Sequence, residues 1–125
     1  MEASQVTILI VEDEPDLREA LGEYLEACGF AVTAVGTARE ALGTISGLPP
    51  RILLTDLILP DRRADSFLEE FHLNFPGCLL YIHSGDSSFV PGGTLQGCGL
   101  TLDHVFPKPF DLAEMVAKFH IDLAQ

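Results

Sequence analysis

The stretch Ile52-Leu53-Leu54-Thr55-Asp56 decides the reading of this chain. Four residues with the character of a strand buried on both faces run directly into a carboxylate. The pattern recurs. Val6-Thr7-Ile8-Leu9-Ile10-Val11 runs into Glu12-Asp13, Leu79-Leu80-Tyr81-Ile82-His83 into Ser84, and Val105-Phe106 into Pro107-Lys108-Pro109. In an open parallel sheet the C-terminal ends of the strands share one edge, and such folds bind ligands there. The acids, the Ser84 hydroxyl and the Lys108 ammonium are therefore expected to converge on one crevice.

Between these runs the apolar period changes to that of a helix. Glu12-Asp13-Glu14-Pro15-Asp16 opens the first, with proline suited to the first helical position and acids to the positive end of the helix dipole. Leu17, Leu21, Leu25 and Cys28 follow at helical spacing, and Gly29 closes it. Phe30 to Val35 reads as a second strand. Thr37-x-x-Glu40 is a capping box for a helix carrying Ala38, Ala41, Leu42 and Ile45, stopped by Gly47, Pro49 and Pro50. After the loop Leu57 to Arg63, a third helix turns Phe67, Leu68, Phe71 and Phe75 inward. Residues 84–103 hold Gly85, Pro91, Gly92, Gly93, Gly97 and Gly99 with no sustained period, so any helix there is expected to be short and frayed. Asp111-x-x-Glu114 caps a last helix with Leu112, Met115, Val116 and Phe119 inward. Five strand-helix repeats predict an α/β fold: a flavodoxin-like, doubly wound, five-stranded parallel sheet of order 2-1-3-4-5 with helices on both faces. In that order strands one and three are neighbours, so Asp13 and Asp56 are expected to face each other.

Composition fits one domain spanning residues 1–125, long enough to bury a core. Nineteen acidic against seven basic residues give a formal charge of −12, a field that repels nucleic acid and anionic lipid. Neither nucleic acid nor membrane is an expected partner. The N-terminus lacks a signal-peptide pattern, and no apolar run approaches spanning length. Cys28, Cys78 and Cys98 form no C-x-x-C pair; Cys28 and Cys78 read as core thiols, and reduced thiols fit a cytoplasmic location. His72, His83, His104 and His120 show no metal-ligand spacing and read as structural or solvent-facing, with a reservation for His83 because it adjoins the crevice.

Carboxylates sharing a crevice repel, and a hard divalent cation such as Mg²⁺ removes that penalty while leaving room for phosphate oxygens. Lys108 adds a point positive charge. A carboxylate can also act as a nucleophile and take a phosphoryl group, and phosphoryl transfer asks mainly for positioning and cations around the transferred oxygens. Asp56, ending the central strand, is the expected nucleophile. Taken singly, Asp56 and Asp13 read as turn or cap residues and Lys108 as a surface lysine; their convergence favours the functional reading. Arg62-Arg63 reads as a solvated loop.

On Leu9-Ile10-Val11-Glu12-Asp13-Glu14, Thr55-Asp56-Leu57-Ile58-Leu59-Pro60, Ser84-Gly85 and Lys108-Pro109-Phe110, the chain resembles a response-regulator receiver domain of two-component signalling over essentially its whole length. The resemblance implies that Asp56 is the phosphoacceptor, charged by a phosphohistidine on a sensor histidine kinase or histidine phosphotransfer protein. It implies Mg²⁺ held by Asp13, Asp56 and the backbone carbonyl of Ile58, with Glu12 acting through a water. Ser84 and Lys108 would contact the phosphoryl group, and the Lys108-Pro109 bond would be cis. Such a domain is not an enzyme beyond its own phosphoryl transfer and dephosphorylation. With nothing following residue 125, output is expected to pass to a protein partner. Three features depart from the family pattern, the first being the glycine-rich fourth-helix region. Val105 stands where an aromatic switch residue is usual, and Arg62-Arg63-Ala64 replaces the usual Asp-Gly pair. Val105 and the altered loop favour one rival, a pseudo-receiver that binds without being phosphorylated, while the intact acids, Ser84 and Lys108 argue against it. A second rival, a phosphatase of the haloacid-dehalogenase type, needs a second acid two residues past the nucleophile, where this chain has Ile58.

Overall fold

A computed structural model describes residues 5–45, 47–86, 88–109 and 111–125. Phe110 of the Lys108-Pro109-Phe110 stretch lies outside the described residues. The elements run β1 (Thr7–Val11), α1 (Pro15–Ala27), β2 (Ala31–Val35), α2 (Ala38–Thr44), β3 (Ile52–Asp56), α3 (Ala64–Asn74), β4 (Leu79–Ser84), α4 (Thr94–Gly97), a 3₁₀ turn (Leu102–His104), β5 (Val105–Pro107) and α5 (Leu112–Leu123). The sheet is parallel, in the order β2-β1-β3-β4-β5. The expected doubly wound topology is the observed one.

β3 lies at the centre and is buried along its whole length, which is what a continuous aliphatic run demands. Its side chains alternate between two cores. Leu53 joins Leu9, Val11, Ala41, Phe67, Leu68, Phe71 and Ile82 under α2, α3 and α4. Ile52 and Leu54 join Ile8, Ile10, Leu21, Leu25, Tyr81, Met115 and Phe119 under α1 and α5. Phe67, Phe71 and Phe119 are fully buried, and truncating any one to alanine would cost about 3–5 kcal/mol. Tyr81 stacks on Phe106 with ring centres 5.7 Å apart and meets Phe119 at a tilt with centres 4.8 Å apart, and its hydroxyl donates to Asp122 Oδ2 at 2.5 Å, tying β4 to α5.

The helix starts follow the sequence signals with one addition. Thr37 Oγ1 accepts from the Glu40 amide at 3.0 Å, while Glu40 Oε1 reaches back to the Gly36 amide at 3.1 Å. The remaining open amides of α2, those of Ala38 and Arg39, donate to the two carboxylate oxygens of Asp61 at 3.0 and 2.9 Å. That carboxylate, on the loop after β3, serves as a second cap. Asp111 Oδ1 accepts from the amides of Ala113 and Glu114 to start α5. Gly29, which ends α1, has φ +100°, a conformation that strains any residue with a Cβ. As the glycine content predicts, α4 is a single turn of four residues.

Two expectations need correcting. Cys28 is exposed rather than buried, because α1 ends at Ala27 and residue 28 has already left the apolar stripe. Arg62 is not a solvated loop residue: its Nη1 donates to Glu70 Oε1 at 2.7 Å, its guanidinium bonds Ser66 Oγ, and it lies 6.0 Å from the Phe67 ring centre. It folds back along α3, while neighbouring Arg63 stays exposed beside Asp65.

Candidate phosphoacceptor site

The C-terminal edge of β1, β3 and β4 brings the expected groups together. β1 is in register with β3 through Val11 and Thr55, and β3 with β4 through Asp56 and His83. The next residue of β1 is Glu12, only 1% exposed. Its amide donates to Val35 O at 2.9 Å, and its carbonyl accepts from Arg18 Nη1 at 2.9 Å. Its Oε2 accepts from the Glu14 amide at 2.9 Å, which turns the β1–α1 loop and fixes the carboxylate. Gly36 leaves room for this arrangement, since a Cβ there would stand 3.0 Å from Arg18 Nη1.

Asp56 is 9% exposed. Its Oδ1 accepts from the Ile58 amide at 3.2 Å, and its Oδ2 accepts from Lys108 Nζ at 3.0 Å. Lys108 Nζ also lies 3.4 Å from Glu12 Oε1. The ammonium is carried by the turn after β5, where the Lys108 amide donates to Ser84 O at 2.8 Å and the Lys108-Pro109 bond is cis. Ser84 is buried at the end of β4, and its Oγ accepts from the Asp86 amide at 2.9 Å. Ile58 has an exposed side chain and pairs with Arg63 in an isolated antiparallel bridge.

Glu12, Asp56 and Lys108 are thus in direct contact, Ser84 is held to Lys108 through the backbone, and Ile58 touches Asp56 through its amide. Asp13 differs. It is exposed and stands outside the cluster of ligand atoms that the fold assembles. That cluster comprises Glu12, Asp56 and His83, with one ligand atom from each lying within 4.8 Å of the others. His83 was flagged in the sequence only by its neighbourhood. It is fully buried, with Nδ1 3.5 Å from Glu12 Oε1. The available signal was an imidazole at the last position of an otherwise apolar run.

The electrostatics follow from burial. Desolvation raises the Glu12 carboxyl above its ordinary value, and the neighbouring Asp56 charge adds to the rise. Burial lowers His83 to about 4, so its imidazole is neutral at physiological pH. Burial also opposes the charge on Lys108, but the hydrogen bond and charge of Asp56, with Glu12 behind it, raise its pKa overall. One cation therefore balances two crowded carboxylates. Two carboxylate oxygens and an imidazole nitrogen this close form a donor set that fits a divalent cation.

The chain belongs to the response regulator receiver domain family, whose model matches residues 8–120. It is therefore a receiver domain of two-component signalling. It is 43% identical over 111 residues to the transcriptional regulatory protein BaeR of Escherichia coli, an alignment covering 89% of this chain and 45% of that protein. It is 28% identical over 116 residues to response regulator Rre1 of Synechocystis, covering 92% and 50%. The chain spans about half the length of these curated relatives. A receiver domain protein (CheY-like) from Methanospirillum hungatei superposes with a TM-score of 0.82 at 27% identity, covering 97% of this chain and 95% of the other. Val105, in the place of the usual aromatic switch, is half-buried and packs against the α2–α4 core.

Proposed function

We propose that this receiver accepts a phosphoryl group on Asp56 from a phosphohistidine of a sensor histidine kinase or phosphotransfer protein, in a Mg²⁺-dependent step. The observation that carries the reading is the Lys108 ammonium at 3.0 Å from Asp56 Oδ2 and 3.4 Å from Glu12 Oε1, at the edge where the central strand ends. An Asp56 carboxylate oxygen attacks phosphorus as the P–N bond to the donor imidazole breaks, and the imidazole leaves with the electron pair and takes up a proton. Lys108 then pairs with the new phosphoryl oxygens rather than with the bare carboxylate. The Ser84 hydroxyl turns from the Asp86 amide to donate to one of them. Asp13, Asp56 and the Ile58 backbone carbonyl, with Glu12 acting through a water, would hold the Mg²⁺, which when bound would neutralise charge on the phosphoryl oxygens.

Catalysis is confined to this self-modification and its hydrolysis. The output passes to a protein partner, and the acidic surface makes nucleic acid and membrane unsuitable partners. Among the described residues no helix is long and apolar enough to cross a membrane, and a cytoplasmic setting is consistent with three unpaired cysteines. Intact mass after incubation with acetyl phosphate and Mg²⁺ should show one added phosphoryl group in the wild type and none in Asp56→Asn. An undiminished adduct in the variant would remove Asp56 from the role, and no adduct in the wild type would favour the pseudo-receiver.

A further inference from the structure

His83 has no part in that reaction, yet it occupies the centre of the site. It sits in β4 in register with Asp56 on one side and Phe106 on the other, and is 0% exposed. Ligands about 2.1 Å from a metal ion lie roughly 3–4 Å from one another. The 3.5 Å between His83 Nδ1 and Glu12 Oε1 is already in that range, and the ligand atoms of Glu12, Asp56 and His83 all fall within 4.8 Å of one another. An all-oxygen site suits Mg²⁺, whereas an imidazole nitrogen favours borderline transition ions.

We infer that His83 supplies a nitrogen ligand when a transition ion of the Mn²⁺, Co²⁺ or Zn²⁺ kind enters this site, so that the site holds such an ion more tightly than the Mg²⁺ that also serves it. The inference rests on the reading of this edge as a cation site and sharpens which cation it takes. Three features support it. The imidazole is fixed by a buried strand, so ordering it on binding costs little. It adds a ligand without adding a third negative charge, while Asp13 stands exposed outside the cluster. Lys108 shares the space, but its side chain is 27% exposed on a flexible stem and can swing outward to the phosphoryl position when an ion enters.

The test titrates Co²⁺ and Mg²⁺ separately into chelator-stripped wild type, His83→Leu and Asp56→Asn, with calorimetric detection. His83→Leu should weaken Co²⁺ by at least about tenfold, the lower bound for disturbing a metal's supporting shell, and leave Mg²⁺ within about twofold. Asp56→Asn should weaken both ions. Equal loss of both ions in His83→Leu, or loss of neither, overturns the inference and leaves the cation site standing if Asp56→Asn still weakens both. If Asp56→Asn changes neither ion, the cation site itself is misplaced and the inference falls with it. Should His83→Leu fail to fold, nitrogen resonances of labelled histidine in the wild type decide the matter. The His83 ring signal must shift on adding Zn²⁺ and stay in place on adding Mg²⁺; a His83 signal indifferent to Zn²⁺ refutes it.

Discussion

Lys108→Met removes the one cation among the described residues that touches both buried carboxylates, while keeping most of the side-chain volume. At an effective dielectric near 20, a pair about 4 Å apart is worth roughly 4 kcal/mol before desolvation. The two contacts here are 3.0 and 3.4 Å. Stripping one partner from a fully buried pair costs about 3–5 kcal/mol, and from an exposed pair less than about 1. Glu12 and Asp56 belong to the first case, and Lys108, 27% exposed, lies between the two. The expected loss is about 2–3 kcal/mol, which at a urea m-value of about 2 kcal/mol/M lowers the midpoint by roughly 1–1.5 M. Far-UV circular dichroism can follow the transition, since the chain has no tryptophan. Adding Glu12→Gln should recover at least about 1 kcal/mol, because the amide oxygen can still accept from Glu14 N while the repulsion with Asp56 disappears. A Lys108→Met protein as stable as the wild type, or a double variant no better than the single one, would refute this account of the charge balance.

Asp61→Ala should cost about 1 kcal/mol by opening the amides of Ala38 and Arg39, read as a lower urea midpoint, whereas Asp61→Asn should retain part of the cap. Tyr81→Phe should cost about 1–2 kcal/mol at pH 7 by depriving Asp122 of its hydroxyl donor. Burial works to raise the Asp122 carboxyl, but the Tyr81 hydroxyl and the Lys118 ammonium outweigh it and hold the group below 3.8. A depressed carboxyl contributes stability that is present above its unfolded value and lost as pH falls through its folded one. The difference between wild type and Tyr81→Phe should therefore be full at neutral pH and shrink in acid, and a gap that widens in acid would contradict it.

Much of the fold was legible because the three central strands, β1, β3 and β4, advertise themselves by burial. β3 is sealed on both faces and so is aliphatic from Ile52 to Leu54, and the acid that ends it could only lie at the sheet edge. The brevity of α4 was legible too, since glycines at 92, 93, 97 and 99 leave the backbone entropy of a longer helix uncompensated. What escaped the sequence depends on contacts made across the fold. Asp61 caps a helix 23 residues earlier, a partnership no local pattern encodes. Arg62 looked like a free charge until α3 placed Glu70 two turns away on the same face. Cys28 continued a helical period that the helix itself no longer followed. In the site, Glu12, Asp56 and Lys108 were predicted from strand ends alone. His83 was weighed by spacing along the chain, whereas its partners are neighbours across the sheet.

The position of Cys28 gives this chain a chemical handle. It is the exposed thiol at the end of α1, and that thirteen-residue helix runs about 20 Å from the β1–α1 loop where Glu12 lies. Of the other two cysteines, Cys78 is buried and its thiol is pushed up to about 12, and partial burial moves Cys98 in the same direction, so both are less reactive toward alkylating reagents. A maleimide dye or spin label added at neutral pH will therefore react first at Cys28, remote from Asp56. A reporter of events at the acidic edge can be installed on the native sequence without mutating a residue of that edge.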